Sequence, residues 1–158
     1  MRDKSTGTQA SILDRLIDFE PGISREPVQN RLANFRQLMA LVKRDLENLL
    51  NTKNFASLMG PQYKELQNSL FFYGLPDFTA QSTKASSVRD QLRQEVEKAI
   101  KRFEPRVTNV VVVAGSGTQA ERSMGFKITG LLMADPAPEP VAFDTRFDIN
   151  RGEYTIVG

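Results

Sequence analysis

The hydrophobic pattern of this chain changes its period at one segment, Phe103-Glu104-Pro105-Arg106, called the junction below. Before the junction, residues 87–103 place apolar side chains three or four positions apart, which is the spacing of one buried helix face. After it, residues 107–114 are rich in valine, which favours a strand. Pro105 ends a helix and restricts Glu104 to extended geometry. The chain is therefore predicted to place its helices first and its strands last.

The junction carries one acid and one base, Glu104 and Arg106. In an extended chain, positions two apart face the same side of the backbone. The two side chains are therefore expected to project together, either paired with each other or available to another molecule. The simplest interpretation is an incidental surface ion pair, worth about 0–1 kcal/mol.

Helical spacing and stop signals predict four helices before the junction. They cover residues 11–20, 27–50, 62–72 and 87–103, the last capped by Ser86 or Ser87. The third is expected to bury Leu66 and Leu70 and to end in a left-handed cap at Gly74. The fourth carries basic and acidic residues spaced for i,i+4 ion pairs.

Alternating patterns predict four strands after the junction, at residues 107–114, 124–134, 141–149 and 153–157. Residues 135–140 contain three prolines and are expected to form a stiff loop, because proline lacks the N–H that a ladder needs. Helices followed by strands indicate an α+β fold, with N-terminal helices packed on a C-terminal antiparallel sheet. Residues 1–10 are expected to be a flexible N-terminus, and residues 11–158 a single domain.

Composition excludes several classes of function. The 158 residues contain no cysteine and no histidine, so thiolate metal sites, cysteine nucleophiles and Ser-His pairs are impossible. The net charge of +2 comes from interspersed residues, and the lack of a basic patch argues against nucleic-acid binding. No signal peptide or membrane span is visible, which predicts a cytoplasmic protein without direct membrane insertion. We predict no cofactor and no metal site.

Residues 115–120 match G-x-G-x-x-A, a dinucleotide-binding pattern, but strand-like sequence returns within a few residues. A flexible hairpin loop explains this segment better. Asp144 and Asp148 fall on the same strand face and suggest an oxygen-ligand metal site, although a solvated face is the better interpretation.

A glycosidase needs only two suitably spaced carboxyl groups, and Glu104 is available to pair with Asp77 or Glu97. However, Arg106 beside Glu104 favours a charged carboxylate, which suits an ion pair better than a general acid.

Five ordered segments resemble a known family: SILDRL at 11–16, KRDLENLLNT at 43–52, YGLPD at 73–77, FEPR at 103–106 and PEPVAFD at 138–144. Together they resemble TssE, the type VI secretion baseplate family that includes the phage gene-25 baseplate wedge protein. The resemblance implies a structural protein that joins the baseplate subunits TssF, TssG and TssK and starts the contractile sheath of TssB and TssC. The family's Glu-Pro-Arg signature maps onto Glu104, Pro105 and Arg106, which implies a partner contact there. Because the family was formerly labelled lysozyme-like, a peptidoglycan-cleaving enzyme that uses Glu104 is the alternative.

Sheath subunits of such machines exchange strands, so the last predicted strand is a second candidate contact. It is expected to present an unprotected edge to which a partner strand adds. An ordinary closing strand of a small sheet is the alternative. The candidate residues at this edge are Glu153, Tyr154, Thr155, Ile156 and Val157.

Overall fold

The computed structural model describes residues 31–54, 66, 69–78, 86–115, 123–134 and 137–157. The predicted helix at 11–20, the N-terminus and most of the 115–120 pattern lie outside these residues. Two helices and a short 3-10 helix, Leu70–Phe72, precede four strands in the described part. The main elements are α1 (Arg31–Asn51), α2 (Ser86–Phe103), β1 (Val107–Ala114), β2 (Ser123–Leu132), β3 (Glu139–Asp148) and β4 (Glu153–Val157).

The four strands form one antiparallel sheet in the order β1-β2-β3-β4, which leaves β1 and β4 at its edges. Both helices pack against this sheet, α2 mainly on β1 and α1 on β4. The predicted α+β class is therefore confirmed. Neither described helix is long and apolar enough to cross a membrane.

The core lies between the helices and one face of the sheet. On α1, the buried face contains Leu38, Val42, Leu46, Leu49 and Leu50, and the three- and four-residue steps between Val42, Leu46 and Leu49 are those of a helix. Along β3, burial alternates strictly, as expected for a strand with one face on the core. The remaining fully buried side chains come from α2 and the sheet: Leu92, Val96, Ile100, Val110, Val112, Ile128, Leu132, Phe143 and Ile156.

An irregularity in β1 changes the simple alternation that the sequence predicts. The register with β2 shifts between Thr108 and Val111, and Asn109 has a φ of +52°. Asparagine tolerates this left-handed conformation better than most residues. As a result, Val107 and Val110 are both buried although they are three positions apart.

The predicted helix at 62–72 is wrong where the structure describes it. Of the described residues of this range, Leu66 and Leu70–Phe72 have 3-10 instead of α-helical conformation, and Leu70 is 86% exposed instead of buried. Leu75 is buried in the core instead. Two backbone hydrogen bonds hold it there: Leu75 N–H donates to Thr52 O (2.8 Å), and Asn54 N–H donates to Leu75 O (2.9 Å). Gly74 has the predicted positive φ, at +103°, and an added Cβ would lie 2.1 Å from Thr52 O.

The prediction that residues 135–140 form a loop is wrong at its end, because Glu139 and Pro140 pair with β2. The reason is the short length of β4, which pairs only with Asp144–Asp148 of β3. On the side away from β2, the half of β3 that contains Pro140 therefore borders no strand in the described part. A missing N–H on that side removes no ladder bond. The other strand bounds are confirmed to within two residues, and Gly152 in the β3–β4 turn has a positive φ of +66°.

Candidate partner-binding site

The junction forms a tight turn between α2 and β1. Glu104 N–H donates the last helical bond to Ile100 O (2.9 Å), and Val107 N–H donates back to Glu104 O (3.2 Å). Pro105 thus occupies the second position of a four-residue turn, which its fixed φ favours. The expectation of extended geometry is corrected here: the turn, and not a period of two, brings Glu104 and Arg106 together.

Glu104 and Arg106 form a bidentate ion pair, so the predicted pairing is confirmed. Arg106 Nε donates to Glu104 Oε1 (2.7 Å) and Arg106 Nη2 donates to Glu104 Oε2 (2.5 Å). The pair is not the surface pair of the simplest interpretation, because Glu104 is only 4% exposed. The backbone N–H of Arg106 also donates to Glu104 Oε1 (3.2 Å), which stabilises the turn. Pro105 between them is exposed.

A third charged residue, Asp45 of α1, joins this pair. Arg106 Nη2 donates to Asp45 Oδ2 at 2.6 Å, and Arg44 donates to Asp45 Oδ1 from Nε (3.0 Å) and Nη2 (2.7 Å). The charges alternate in sign along this chain of contacts, from Arg44 through Asp45 and Arg106 to Glu104. The junction is therefore bonded to the middle of α1.

The network alters proton affinities in directions that follow from its charges. Hydrogen bonding to Glu104, reinforced by Asp45 and opposed by burial, holds the pKa of Arg106 above its ordinary value. Burial raises the pKa of Tyr73, and the negative charges of Asp45 and Glu104 raise it further. Arg106 Nη1 is buried and has no hydrogen-bond partner in the described part of the chain. A buried donor of this kind costs about 1–3 kcal/mol when it stays unpaired.

This arrangement does not suit general acid catalysis. Both oxygens of Glu104 accept hydrogen bonds from Arg106, and the carboxyl group is buried. The two carboxylates considered as its catalytic partners have other basic partners. Asp77 pairs with Lys53 (2.8 Å), and Glu97 pairs with Arg93 (3.3 Å) and Lys101 (2.5 Å).

The other acidic residues singled out by sequence form no cluster in the described ranges. Asp144 and Asp148 share the outer face of β3, as predicted, and Asp148 accepts hydrogen bonds from the turn N–H groups of Asn150 (2.8 Å) and Arg151 (3.2 Å). Among the residues that the structure describes, no group of three or more carboxylates is placed to hold a metal ion.

The second candidate contact, the edge of β4, is not unprotected, so that part of the prediction is wrong. Asn51 Nδ2 donates to Tyr154 O (2.9 Å), and Tyr154 N–H donates to Asn51 Oδ1 (2.7 Å). One turn earlier in α1, Glu47 Oε1 accepts from Ile156 N–H (3.0 Å). Tyr154 and Ile156 are buried, whereas Glu153, Thr155 and Val157 are exposed on the outer face.

The opposite edge of the sheet carries a similar pair of contacts from α2. Arg93 Nη1 donates to Val112 O, and Val112 N–H donates to Glu97 Oε2, each over 3.3 Å. Both edge strands are therefore hydrogen-bonded by side chains of the helix beside them.

Comparison with known families places this geometry in a functional context. The model of the family described as baseplate wedge protein gp25 matches residues 36–137, roughly two-thirds of the chain. The chain belongs to this gp25 family. The matched residues include Asp45, Glu104 and Arg106, but not β3 or β4. None of the curated proteins compared with the chain matches it. As a member of the gp25 family, the chain has a structural role in a baseplate.

Sequence reasoning missed Asp45, although a signal was present. Asp45 follows Val42 by three positions and precedes Leu49 by four, so it borders the buried stripe of the gp25-family helix α1. A charged residue at the border of a buried face is a candidate for a charged partner from another element. The roles of Asn51 and Glu47 had no such signal, because their acceptors and donors are backbone groups.

Proposed function

We propose that this gp25-family chain is a TssE-like component of a type VI secretion baseplate, working in the cytoplasm without enzymatic activity. It joins TssF, TssG and TssK and starts the sheath of TssB and TssC. The observation that carries the proposal is the family match over residues 36–137, which spans the whole charged network around Arg106. A baseplate is built from protein contacts, and the network holds one exposed turn rigid.

The docking surface in this proposal is the outside of the junction. Pro105 is exposed, and the side chain of Arg106 is 16% exposed while Glu104 and Asp45 fix its position. Residues that are held in one conformation lose little entropy on binding.

Co-purification of TssF, TssG and TssK with a tagged chain tests this surface. Pro105→Asp places a charge on the exposed turn, and recovery of the partners is expected to fall at least about tenfold, the effect of 1.4 kcal/mol. Pro138→Asp is the matched control, because Pro138 is also exposed but lies before β3. Equal recovery with both variants would reject the junction as a docking surface.

For the sheath contact, we propose the edge of β4, with Glu153, Thr155 and Val157 as side chains available to the partner and Tyr154 and Ile156 as the backbone positions. The support is physical: β4 is the last strand of its sheet. An edge strand offers alternate side chains, and it offers main-chain groups once Asn51 and Glu47 release them. Val157 is 59% exposed, so Val157→Asp is expected to weaken binding of TssB–TssC without unfolding the chain. Unchanged sheath binding would remove this part of the proposal.

The absence of enzymatic activity is tested by peptidoglycan turbidity. The purified chain is expected to leave the suspension unchanged. Clearing that disappears with Glu104→Gln, in a variant shown to remain folded, would replace the structural role with the glycosidase alternative.

A further inference from the structure

The contacts at the edge of β4 imitate one more strand. An antiparallel edge strand alternates between residues whose backbone faces the neighbouring strand and residues whose backbone faces outward. Tyr154 and Ile156 are the outward-facing residues, since their backbone groups bond to α1 and not to β3. The carboxamide of Asn51 carries the same donor and acceptor as a peptide group, and it bonds both outward groups of Tyr154.

The matching spacing of residues along α1 and along β4 explains why both positions are reached. Glu47 and Asn51 are four positions apart, which is about 6 Å along a helix, and Tyr154 and Ile156 are two positions apart, which is about 6.6 Å along a strand. The last turns of α1 therefore run beside β4 in register with its outward groups. An added strand would lie about 4.8 Å from β4, in the space that these two side chains now occupy.

We propose that the contacts from Asn51 and Glu47, the edge-capping contacts, close β4 to strand addition until these two side chains turn away from the strand. This inference rests on the proposed function of the β4 edge in sheath binding and adds its regulation. The ligand class is an extended segment of a second chain, whose main-chain groups replace the carboxamide of Asn51 and the carboxylate of Glu47. The cap also keeps two copies of this chain from joining through their edges.

Two properties of Asn51 make the cap removable. Asn51 is the last residue of α1, and helix ends open more readily than helix centres. Its side chain contacts Tyr154 at the protein surface, where Asn51 itself is exposed. Loss of the cap therefore opens the edge without disturbing the buried side chains of Tyr154 and Ile156.

Amide hydrogen exchange of the full chain tests the cap directly. In Asn51→Ala, exchange of the Tyr154 N–H is expected to become about tenfold faster, because it loses its acceptor. The Thr155 N–H, which faces β3, is expected to stay within about twofold and serves as the internal reference. The control is Asn48→Ala, an exposed asparagine on the same helix. Unchanged exchange at Tyr154 would overturn the cap.

Binding of purified TssB–TssC sheath subunits tests whether the cap regulates strand addition. Asn51→Ala is expected to associate about tenfold faster than the wild-type chain, since two hydrogen bonds no longer need to break. Glu47→Gln keeps an acceptor for Ile156 N–H and is expected to behave as wild type. If Val157→Asp weakens binding but Asn51→Ala does not accelerate it, the regulation is wrong and the sheath contact stands. If neither variant changes binding, the sheath contact itself fails, and the inference fails with it.

Discussion

Arg106 Nη2 lies 2.6 Å from Asp45 Oδ2, although the two residues are 61 positions apart in the chain. This bond connects the middle of α1 to the turn that joins α2 to β1. Because the Asp45 side chain is 23% exposed and the Glu104 side chain 5%, the guanidinium is bound by one partly solvated and one buried carboxylate. The two carboxylates therefore contribute unequally to stability.

The first prediction concerns Asp45. Asp45→Asn removes a charged acceptor from Arg106, but Glu104 still neutralises the guanidinium. The free energy of unfolding is expected to fall by about 1.5 kcal/mol, the low end for a hydrogen bond to a charged group, because the Asp45 side chain is partly solvated. Urea denaturation measures it, with Asp90→Asn on the exposed face of α2 as control. Equal effects of the two variants would mean that the Asp45 bond contributes nothing in solution.

The second prediction concerns Glu104. Glu104→Gln keeps the shape of the side chain but leaves Arg106 partly buried with only Asp45 to balance it. The free energy of unfolding is expected to fall by about 3 kcal/mol, the low end for a broken buried pair. Glu95→Gln provides the comparison, because Glu95 forms a more exposed pair with Lys98 and is expected to change stability by less than about 0.5 kcal/mol. A loss at Glu104 no larger than that at Glu95 contradicts the role assigned to the buried pair.

The ion pairs of this protein also show which contacts a sequence can predict. The ion pairs of Glu97 with Arg93 and Lys101 follow from i,i+4 spacing, and the structure confirms both. The pairing of Glu104 with Arg106 is equally local. Asp45 could not be assigned to Arg106, because that contact depends on how α1 packs against the junction.

The edges of the sheet show a second limit of prediction from sequence. The sequence places β4 last and at an edge, and both features are confirmed. Whether that edge is covered depends on the direction in which α1 crosses the sheet, which the hydrophobic stripe of α1 does not determine. Asn51 ends α1, and its side chain also bonds the backbone of Tyr154.

The third prediction is a dependence on pH. The hydrogen bond from Lys101 is the main cause that lowers the pKa of Glu97; burial opposes it, and Val112 N–H and the nearby positive charges assist. A carboxyl group with a lowered pKa in the folded state stabilises the protein above its unfolded pKa of about 4.3. That contribution is lost as the pH falls through the lower folded value. The stability difference between wild type and Glu97→Gln is expected to shrink below about pH 4; a difference that stays constant down to pH 2.5 would contradict this account.

The fourth prediction concerns Gly74. Gly74→Ala meets two penalties, a φ of +103° and a Cβ 2.1 Å from Thr52 O. Because the second contact is with backbone, the hydrogen bond from Leu75 N–H to Thr52 O has to shift, and a loss of more than about 2 kcal/mol is expected. Gly152→Ala, at a φ of +66° in the β3–β4 turn, provides the comparison for the conformational penalty, about 1–2 kcal/mol. Thermal unfolding of the two variants separates the steric clash with Thr52 O from the conformational penalty. A smaller loss of stability at Gly74 than at Gly152 would exclude the clash.

The last prediction extends the docking surface to the 3-10 helix beside the junction. Tyr73 packs edge-on against Phe103 with ring centroids 5.3 Å apart, and Arg102 lies over the ring of Phe72 at 5.9 Å. The 3-10 helix therefore packs against the end of α2, and its residue Phe71 is 52% exposed. Exposed apolar side chains next to a rigid charged site are typical of binding surfaces.

Phe71→Ser is expected to change the free energy of unfolding by less than about 0.5 kcal/mol, because the ring is half exposed. Co-purification of TssF and TssG is expected to fall at least about tenfold, since a buried aromatic contact at an interface contributes 1 kcal/mol or more. The matched control is Val113→Ser, which removes a side chain of similar exposure, 54%. Val113 lies seven positions along β1 from Arg106, about 23 Å for a regular strand. If both variants reduce recovery equally, the effect comes from general loss of apolar surface and not from contact beside the junction.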